Sequence, residues 1–380
     1  MPDRSSPWRR SPCGARVTRR DALLSLSLLL CSRHGLHAGE LSALDSDLKP
    51  SLDALASLQN SDGSFGSSTE LFGRDPGVAG LCGLAFIATG SLPGRGRYGA
   101  ELTRTLDFIL SHTLSASGSS PPALAGYLAS RGLTRAELDG LIINLDEKGQ
   151  KSTYGHGYAT LFLAESLGVS PRSELRARLT ASTQLIERTQ NTEGGWRYEP
   201  KRVEAADLSV TTCQLTALRA AKNAGIRVSS DVIERGLAFV RSLQNTDGGF
   251  RYMSTPGPSG YGRTASAICA LQSGGADADA AIARGFEYME TIYPDANQQR
   301  VAIEYERYAM FYASLAYWRA SSAPGASKRL GNFYDRLRRD TLAKRGSDGL
   351  WRSPTSTESD TAFAILSLAL PREGIPFFLR

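Results

Sequence analysis

The segment Gln190-Asn-Thr-Glu-Gly194-Gly-Trp196 shows a pattern that the chain repeats in register: Gln, three residues, Gly, one residue, then Trp or Phe. The other copies are Gln59-Asn-Ser-Asp-Gly63-Ser-Phe65, Gln244-Asn-Thr-Asp-Gly248-Gly-Phe250 and Arg345-Gly-Ser-Asp-Gly349-Leu-Trp351, the last with Arg in place of Gln. Each copy predicts a tight turn after a helix, in which Gln caps open carbonyls and Gly supplies a positive φ. The aromatic residue is expected to pack against neighbouring helix ends.

Two kinds of helical segment alternate around these turns. The amphipathic kind, with charged residues on its outer face, is predicted at about 41–59, 99–114, 172–190, 230–244, 278–292 and 328–345. The other kind is apolar or small on nearly all faces and is predicted at about 77–89, 154–167, 207–224, 262–273, 302–319 and 358–370. The pattern therefore predicts an all-α fold, an α/α toroid with six inner and six outer helices. A closed double ring is favoured over an open solenoid, because the last helix is apolar where a solenoid needs a polar cap.

The first 38 residues have the composition of an export signal and leader. Arginines come first, Ala22–Leu30 is uncharged and mostly apolar, and Leu36-His-Ala-Gly39 offers a small residue before a cut. The segment Thr18–Leu24 resembles a twin-arginine signal, so we expect export to the periplasm or the cell exterior. The apolar run is too short to cross a bilayer, which takes about 20 residues. An arginine-rich tail is the alternative interpretation. Residues 39–380 are expected to form the toroid domain, with an insertion at about 115–153.

Charge and cysteine content exclude several classes of function. Of the 44 basic and 38 acidic side chains, seven arginines and two aspartates lie before residue 39, so the rest of the chain is nearly neutral. No basic stripe with interleaved aromatic residues follows, which argues against nucleic-acid binding. Cys82, Cys213 and Cys269 lie after the leader, far apart and in apolar stretches. They predict buried free thiols, and we expect no disulfide framework, metal site or cofactor.

The turn motif resembles the repeat of squalene-hopene cyclases and of protein prenyltransferase β-subunits. Over about 45–380 the chain resembles a bacterial family, the prenyltransferase and squalene oxidase repeat proteins. The resemblance is carried by Gly90-Ser-Leu-Pro-Gly-Arg-Gly96, Tyr154-Gly-His-Gly-Tyr-Ala-Thr-Leu-Phe-Leu-Ala-Glu165, Gly194-Gly-Trp-Arg-Tyr198, Asp207-Leu-Ser-Val-Thr211 and Ile375-Pro-Phe-Phe-Leu-Arg380. It implies an α/α toroid with a central cavity, and it does not decide whether the chain is an enzyme.

The reactions of these relatives need acids or zinc ligands just after the turns. Class II terpene cyclases protonate an alkene with the middle acid of an Asp-x-Asp-Asp-Thr-Ala motif, kept protonated in an apolar cavity. Asp207-Leu-Ser-Val-Thr211 keeps the first acid and Asp360-Thr-Ala362 keeps the donor position, but neither copy is complete. The Asp-x-Cys zinc element of protein prenyltransferases is missing, because Ser209 stands two residues after Asp207. Both aspartates have a structural alternative as helix N-caps.

Alternating inner and outer helices would place all inner-helix N-termini at one rim, where their dipoles add positive potential. We predict a functional site at this rim. The candidate catalytic residues are Asp360, Asp207, His156 and Glu304, and the candidate ligand-binding residues are Tyr154, Tyr261, Arg263, Tyr305 and Tyr308. Asp360 is the first choice for an acid. The alternatives are a backbone hydrogen bond for His156 and a local ion pair with Arg307 for Glu304.

Three functions fit these observations. The first is an exported toroid related to terpenoid cyclases and prenyltransferases, whose cavity takes an isoprenoid-like or other apolar ligand and which can associate with a membrane surface. The second is a non-catalytic binding or scaffold protein on the same fold. The third is a carbohydrate-active α/α-barrel enzyme that uses a pair of carboxylates among Asp207, Glu304 and Asp360. The sequence leaves the oligomeric state open.

Overall fold

The computed structural model describes residues 38–67, 72–118, 122–145, 152–203, 205–275, 279–293, 302–320 and 326–372. Within these ranges the regular structure is helical, with isolated β-bridges and no strand. The predicted leader before residue 38 and the terminal stretch 373–380 lie outside the described residues. None of the described helices is long and apolar enough to cross a membrane.

The described residues contain thirteen α-helices. In chain order they are α1 (Ala38–Ser57), α2 (Pro76–Ala88), α3 (Gly99–Ser111), α4 (Leu124–Arg131), α5 (Ser152–Ser166), α6 (Leu175–Thr189), α7 (Leu208–Asn223), α8 (Ser230–Ser242), α9 (Tyr261–Ser273), α10 (Ala280–Ile292), α11 (Glu306–Ala320), α12 (Ala326–Ala343) and α13 (Thr357–Ala369). Short 3-10 helices occur at Ala136–Leu138 and Leu370–Arg372.

Six helices, α2, α5, α7, α9, α11 and α13, form an inner ring in which each packs against the next and α13 packs against α2. The outer helices α1, α3, α6, α8, α10 and α12 cover this ring. The inner helices are buried on nearly all faces, whereas the outer helices bury one apolar face. The predicted all-α fold, a closed α/α toroid of six inner and six outer helices, is therefore confirmed.

The glutamine of each turn fastens one outer helix to the next. The Gln190 side-chain amide donates to the Gly194 carbonyl of its own turn and to the Val232 carbonyl in the first turn of α8, both at 2.8 Å. Its oxygen accepts from the Arg235 guanidinium, one turn further along α8. Corresponding partners surround the other two glutamines: Glu101 and Arg104 of α3 for Gln59, and Ala281 and Arg284 of α10 for Gln244.

The glycine of the turn allows this contact to be close. Gly194 has a φ of 94°, and a Cβ at this position would lie 2.5 Å from the Arg235 carbonyl oxygen. A residue with a side chain would therefore meet both backbone strain and a clash with α8. The glycine thus lets the turn and the next outer helix touch through their backbones.

The aromatic residue of the turn links it to the helices on either side. The Trp196 indole donates to the Ile186 carbonyl of α6 at 2.8 Å, and the Trp196 backbone N–H donates to the Thr211 hydroxyl of α7 at 3.1 Å. Phe250 and Trp351 make the same backbone contact with Thr264 of α9 and Thr361 of α13. The turn therefore joins an outer helix to the inner helix that follows it.

The fourth turn joins α12 to α1 and so closes the ring, and its contacts show why it carries Arg345 where the other turns carry glutamine. The Arg345 guanidinium donates to the Asp47 carbonyl of α1 at 2.5 Å, and a Cβ at Gly349 would lie 2.8 Å from the Pro50 carbonyl oxygen. Pro50 therefore stands where the other outer helices carry an arginine. A glutamine at 345 would have no guanidinium to donate to its oxygen, whereas arginine needs only acceptors.

Aromatic side chains occupy the middle of the inner ring. The hydroxyls of Tyr158 on α5 and Tyr312 on α11 lie 3.1 Å apart, although these helices stand on opposite sides of the ring. Phe363 of α13 packs edge-on against Tyr158 and tilted against Phe311, with ring centroids 5.9 and 5.4 Å apart. The toroid is thus bridged at mid-height, and its polar openings are confined to the rims.

The turn analysis predicts a measurable loss of stability for Gln190→Ala. The substitution removes two buried donors and leaves two carbonyls and the Arg235 guanidinium without their partner, so the free energy of unfolding should fall by about 2–4 kcal/mol. Gln184→Ala, at an exposed position of α6, is the matched control and should change stability by less than about 0.5 kcal/mol. Urea unfolding of the three proteins measures both values; equal effects of the two substitutions would contradict the assignment.

The ring closure predicts favourable coupling between positions 50 and 345. Arg345→Gln alone leaves the new amide oxygen facing Pro50, and Pro50→Arg alone places two guanidinium groups together. The double variant recreates the pairing of the other turns. We expect a double-mutant cycle of unfolding free energies to give a favourable coupling of about 1 kcal/mol. The cycle cancels the separate effect of removing proline from α1, and additive effects would show that the two positions do not interact.

Candidate functional site

The first turns of the inner helices meet at one rim, and short backbone contacts join the loops there. The Asp207 backbone pairs with both Trp196 and Met253, and the Thr153 hydroxyl at the start of α5 donates to the Arg197 carbonyl. The first turn of α5 and the loops that precede α7 and α9 are thereby held together around one mouth. Four of the nine predicted site residues lie at this mouth: Asp207, Tyr154, Tyr305 and Tyr308.

Asp207 is the N-cap of α7 and is fully buried. Its Oδ1 accepts the Val210 N–H at 2.9 Å. Its Oδ2 is also buried and accepts no hydrogen bond of normal geometry from the described residues, although the Tyr252 hydroxyl lies beside the carboxyl. Burial raises the pKa of Asp207 to about 6, against the opposing effects of the Val210 N–H, the Tyr252 hydroxyl and Arg197. The cap therefore uses one oxygen, and the carboxyl also faces the Tyr252 hydroxyl.

Tyrosines surround this carboxyl. The Tyr198 and Tyr252 hydroxyls lie 2.7 Å apart, and burial raises the pKa of both phenols, with Asp207 adding to the effect. Tyr305 is 72% exposed and has a φ of 49°, an unusual backbone conformation for a residue with a side chain. It lies close enough to Tyr198 to raise its pKa further. The mouth thus combines a buried acid, two paired hydroxyls and an exposed ring.

Tyr308 and Tyr154 line the deeper part of the mouth. The Tyr308 side chain is partly buried and its hydroxyl fully so, beside Ser209 of α7 and Ser266 of α9. Tyr154, also partly buried, packs edge-on against Tyr158 with ring centroids 5.3 Å apart. Both rings therefore stand directly above the aromatic cluster that bridges the toroid.

Two predicted ligand-binding residues point elsewhere. Tyr261 is buried and packs edge-on against Tyr293 at the end of α10, with ring centroids 6.1 Å apart. The Arg263 guanidinium turns back to the Pro258 carbonyl of its own loop at 3.2 Å. Neither side chain is in contact with Asp207 in the interactions that the structure records. Tyr261 and Arg263 therefore lie outside the group of side chains around Asp207.

Asp360 and Glu304 lie on the α11–α13 side of the rim. Asp360 is half-buried in the first turn of α13, whose N-cap is Ser356. Burial raises its pKa, with Ser353 and Arg307 opposing the shift and Glu306 supporting it. Glu304 is exposed and precedes α11. Arg307, the residue with which Glu304 was expected to form a local ion pair, pairs instead with Glu306 at 3.4 Å.

His156 is buried and bonded at both ring nitrogens. Nδ1 accepts the Ile142 N–H at 3.1 Å, and Nε2 lies 3.3 Å from the Ser182 carbonyl, so Nε2 carries the proton in this arrangement. Burial lowers its pKa to about 3, which keeps the ring neutral. The imidazole thus ties the segment between α3 and α5 to the inner helix α5 and the outer helix α6, and it has no nitrogen left for a ligand.

Asp75 resembles Asp207 in position and differs in its bonding. It is the N-cap of α2 and is buried, and its Oδ1 accepts the Gly77 and Val78 N–H groups at 2.6 and 3.3 Å. Burial raises its pKa to about 6, although both hydrogen bonds oppose the shift. We assign Asp75 a structural role, and it serves as the control for Asp207.

Sequence reasoning missed Tyr198, Tyr252 and Arg197. The signal was present, because Trp196-Arg-Tyr198 and Phe250-Arg-Tyr252 extend the turn motif by the same two residues in consecutive copies. Arg251 holds its turn by donating to the Asn245 side chain and the Ser242 carbonyl, whereas the hydroxyls of Tyr198 and Tyr252 bond each other. The repeated tyrosine is the part of the pair that lies at the rim. It could have been recognised as a feature of the rim.

The fold and the rim define an α/α barrel with a polar mouth. No protein-family model and no curated protein matches the sequence. Solved structures with a similar fold include a cellobiose 2-epimerase from Bacillus thermoamylovorans (10% identity, 88% of this chain and 99% of that chain, TM-score 0.59). They also include a glycosidase variant in complex with glucose (15%, 90% and 100%, 0.58) and an α-1,6-mannanase variant of Salegentibacter sp. in complex with α-1,6-mannotriose (8%, 87% and 99%, 0.57).

These findings correct the family expected from the sequence. The prediction of a prenyltransferase and squalene oxidase repeat protein is wrong, because the structural neighbours are carbohydrate-processing α/α barrels and no family model matches. The interpretation as a terpenoid cyclase-like protein with an isoprenoid ligand rested on that family, and it therefore loses its support. The turn motif explains the error, since its contacts fasten helices into a ring and involve no reacting group. Among the described residues, no cluster of three His, Cys, Asp or Glu is placed to hold a metal ion.

The buried caps predict a stability effect that depends on pH. Burial raises the folded-state pKa of Asp75, so the folded protein binds this proton more tightly than the unfolded chain does. The resulting contribution to stability is fully present below about pH 4 and is lost as pH rises through about 6. Asn keeps the cap and stays neutral. Asp75→Asn should therefore be more stable than the parent by up to about 3 kcal/mol near pH 7.5, with little difference near pH 4. Urea unfolding at both pH values measures this.

Asp348→Asn is a control with the opposite sign. Asp348 is exposed and pairs with Arg352, and that hydrogen bond lowers the pKa of its carboxyl to about 2. Its contribution is present above about pH 4 and is lost as pH falls toward 2, so the substitution should not stabilise the protein near pH 7.5. A gain in stability for both variants, or for neither, would contradict the burial argument.

Proposed function

We propose that the chain is a carbohydrate-active protein of the α/α-barrel class, whose sugar site is the mouth at the first turns of α5, α7, α9 and α11. One observation carries the proposal: a buried carboxyl, Asp207, which uses one oxygen for its helix cap, stands beside the paired hydroxyls of Tyr252 and Tyr198. The third function considered from the sequence is thus the one that the geometry favours. The structural neighbours that hold glucose or α-1,6-mannotriose support it by analogy of fold.

The mouth has the groups that sugar recognition uses. A pyranose presents an apolar face, which stacks on aromatic rings such as the exposed Tyr305, and a set of hydroxyls that bond carboxylate and phenol oxygens. A carboxyl whose pKa lies near 6 holds a proton close to neutral pH and can give it to, or take it from, a sugar oxygen or carbon. Asp207 is therefore the proposed general acid or base.

Glycoside hydrolysis would need a second carboxyl. Asp360 is the candidate, because burial raises its pKa as well and it belongs to the same rim. The exposed Glu304 is the alternative. Epimerisation or isomerisation would need one group that moves a proton, and Asp207 alone would provide it.

A second candidate is a sugar-binding protein without turnover. The observation that favours it is the aromatic bridge between Tyr158 and Tyr312, which limits the site to a shallow mouth. In both cases we propose that residues 1–38 direct export, as their composition suggests.

A sugar panel tests the proposal. The purified full chain is mixed with glucose, mannose, cellobiose and α-1,6-mannotriose, while the melting temperature reports binding and NMR of the sugar reports hydrolysis or epimerisation. We expect at least one sugar to raise the melting temperature. Asp207→Asn keeps the N-cap and should retain binding while lowering turnover at least about 100-fold, because it removes the proton that the reaction uses.

Asp75→Asn is the matched control, since it changes a buried N-cap of the same ring outside the mouth. It should leave binding and turnover as in the parent. Binding without turnover in the parent would establish the second candidate. A chain whose melting temperature responds to no sugar, and which converts none, would contradict the proposed function.

A further inference from the structure

An open space lies at the end of the ring opposite the mouth, where the inner helices α7 and α9 end and the outer helix α8 begins. Its volume is about 60 Å³, and its lining includes Leu215, Arg219, Lys222, Ile233, Leu237 and Ala270. A space of this volume has room for about four groups the size of a water molecule. Arg219 follows Asp207 by about 18 Å along α7, so this space is separate from the proposed sugar site.

The inner walls of this space are apolar. Leu215 of α7, Leu237 of α8 and Ala270 of α9 are buried, and Ile233 of α8 is partly buried. A water molecule held inside a protein needs two to four polar partners, which these side chains do not provide. The walls therefore suit an aliphatic group better than they suit water.

The charged groups of the lining are both cationic. Arg219 is partly exposed and Lys222 is exposed, and neither forms a hydrogen bond or an ion pair with the residues that the structure describes. The Ser273 hydroxyl, which also lines the space, already donates to the Cys269 carbonyl and accepts from Arg319, both at 2.8 Å. Two positive charges thus stand next to an apolar space, with no described acid to neutralise them.

The other inner helices show that a cation at this position is unusual for the ring. The three threonines that bond the turn aromatic residues place Arg219 in register with Gln272 of α9 and Ala369 of α13. Gln272 is buried and donates to the Ala316 carbonyl at 3.1 Å, and Ala369 is buried as well. Both counterparts are neutral and pack inside the ring. Arg219 is therefore not required by the way in which the helices pack.

The next outer helix shows how the corresponding space is filled elsewhere. Arg235 of α8 and Arg284 of α10 both donate to a turn glutamine, which places Leu237 in register with Phe286. Phe286 packs on Tyr317 of α11 with ring centroids 4.9 Å apart. The smaller Leu237 leaves room where Phe286 fills it. One repeat thus combines a smaller wall residue with an additional positive charge.

We propose that this space binds a small aliphatic carboxylate, and we call it the α7–α9 pocket. Arg219 and Lys222 pair with the carboxylate, because a guanidinium matches the two oxygens of a carboxylate and the ammonium adds a second charge. A chain of about three carbons lies against Leu215 and Leu237. The pocket is a second site, and its ligand is independent of the proposed sugar.

Butyrate tests the pocket directly. The full chain is labelled with 13C in its leucine methyl groups, and the Leu237 signals are assigned by their absence from Leu237→Phe. Sodium butyrate replaces sodium chloride at constant ionic strength and about pH 7.5, where a carboxylate is ionised. We expect a saturable shift of the Leu237 signals. Leu55, which is buried in α1, is the internal reference and should not respond.

Three matched probes separate the two parts of the ligand. Acetate keeps the charge and lacks two methylene groups, butanol keeps the chain and lacks the charge, and inorganic phosphate has charge without a chain. Each should bind at least about tenfold more weakly than butyrate, because each loses either apolar burial or the charged hydrogen bonds.

Two substitutions copy the other repeats of the ring. Arg219→Gln introduces the residue found at 272 and should weaken butyrate binding about tenfold. Leu237→Phe introduces the residue found at 286 and should abolish the saturable shift, followed here at Leu215. Arg227→Gln is the matched control, since it removes an exposed charge between α7 and α8 outside the lining, and it should change affinity less than about twofold.

The pocket is overturned if butyrate gives no saturable shift at Leu237, or if Leu55 shifts to the same extent. It is also overturned if butanol or phosphate binds as tightly as butyrate, or if Arg219→Gln and Arg227→Gln have equal effects. Because these titrations contain no sugar, their outcome is independent of the sugar panel.

Discussion

The structure depends on one hydrogen-bonded side-chain amide that is repeated around the ring. A glutamine such as Gln190 donates both to its own turn and to the next outer helix, while its oxygen holds an arginine of that helix. An amide suits this place because it donates and accepts at once. The contact between α12 and α1 obeys the same rule, with a different residue in the place of glutamine. Pro50 supplies no donor there, and Arg345 replaces the glutamine with a group that only donates.

These hydrogen bonds between the outer helices determine where a functional site can form. They set the inner helices parallel and close, so that their side chains meet in the middle and the hydroxyls of Tyr158 and Tyr312 touch. Polar groups are then left at the helix starts, where backbone N–H groups also need acceptors. Asp75 uses one oxygen for two such N–H groups, whereas Asp207 uses one oxygen for one N–H group and has the Tyr252 hydroxyl beside its carboxyl. Equivalent caps of one ring can therefore differ in function.

The ring could be predicted from the sequence because its cause is local. Each turn carries a glutamine (an arginine in the fourth copy), a glycine and an aromatic residue within seven positions, and four copies in register leave few other folds. The family could not be predicted in the same way, since the motif records how helices are joined. The site could be predicted from the sequence only in part. His156 sits between two glycines and resembles a catalytic residue in sequence, but its partners Ile142 and Ser182 come from segments that no local pattern connects to it.

The segment between α3 and α5 covers another part of the rim. Leu124, Leu138 and Leu141 pack together with Leu185 of α6, so the segment after α3 has a small core of its own. It reaches the rim where Asn144 donates to the Arg74 carbonyl before α2, and where Arg131 pairs with Glu199. These contacts reach the rim before α2 and the loop before α7. The exposed Tyr305 stands before α11, on the part of the rim that contains the mouth.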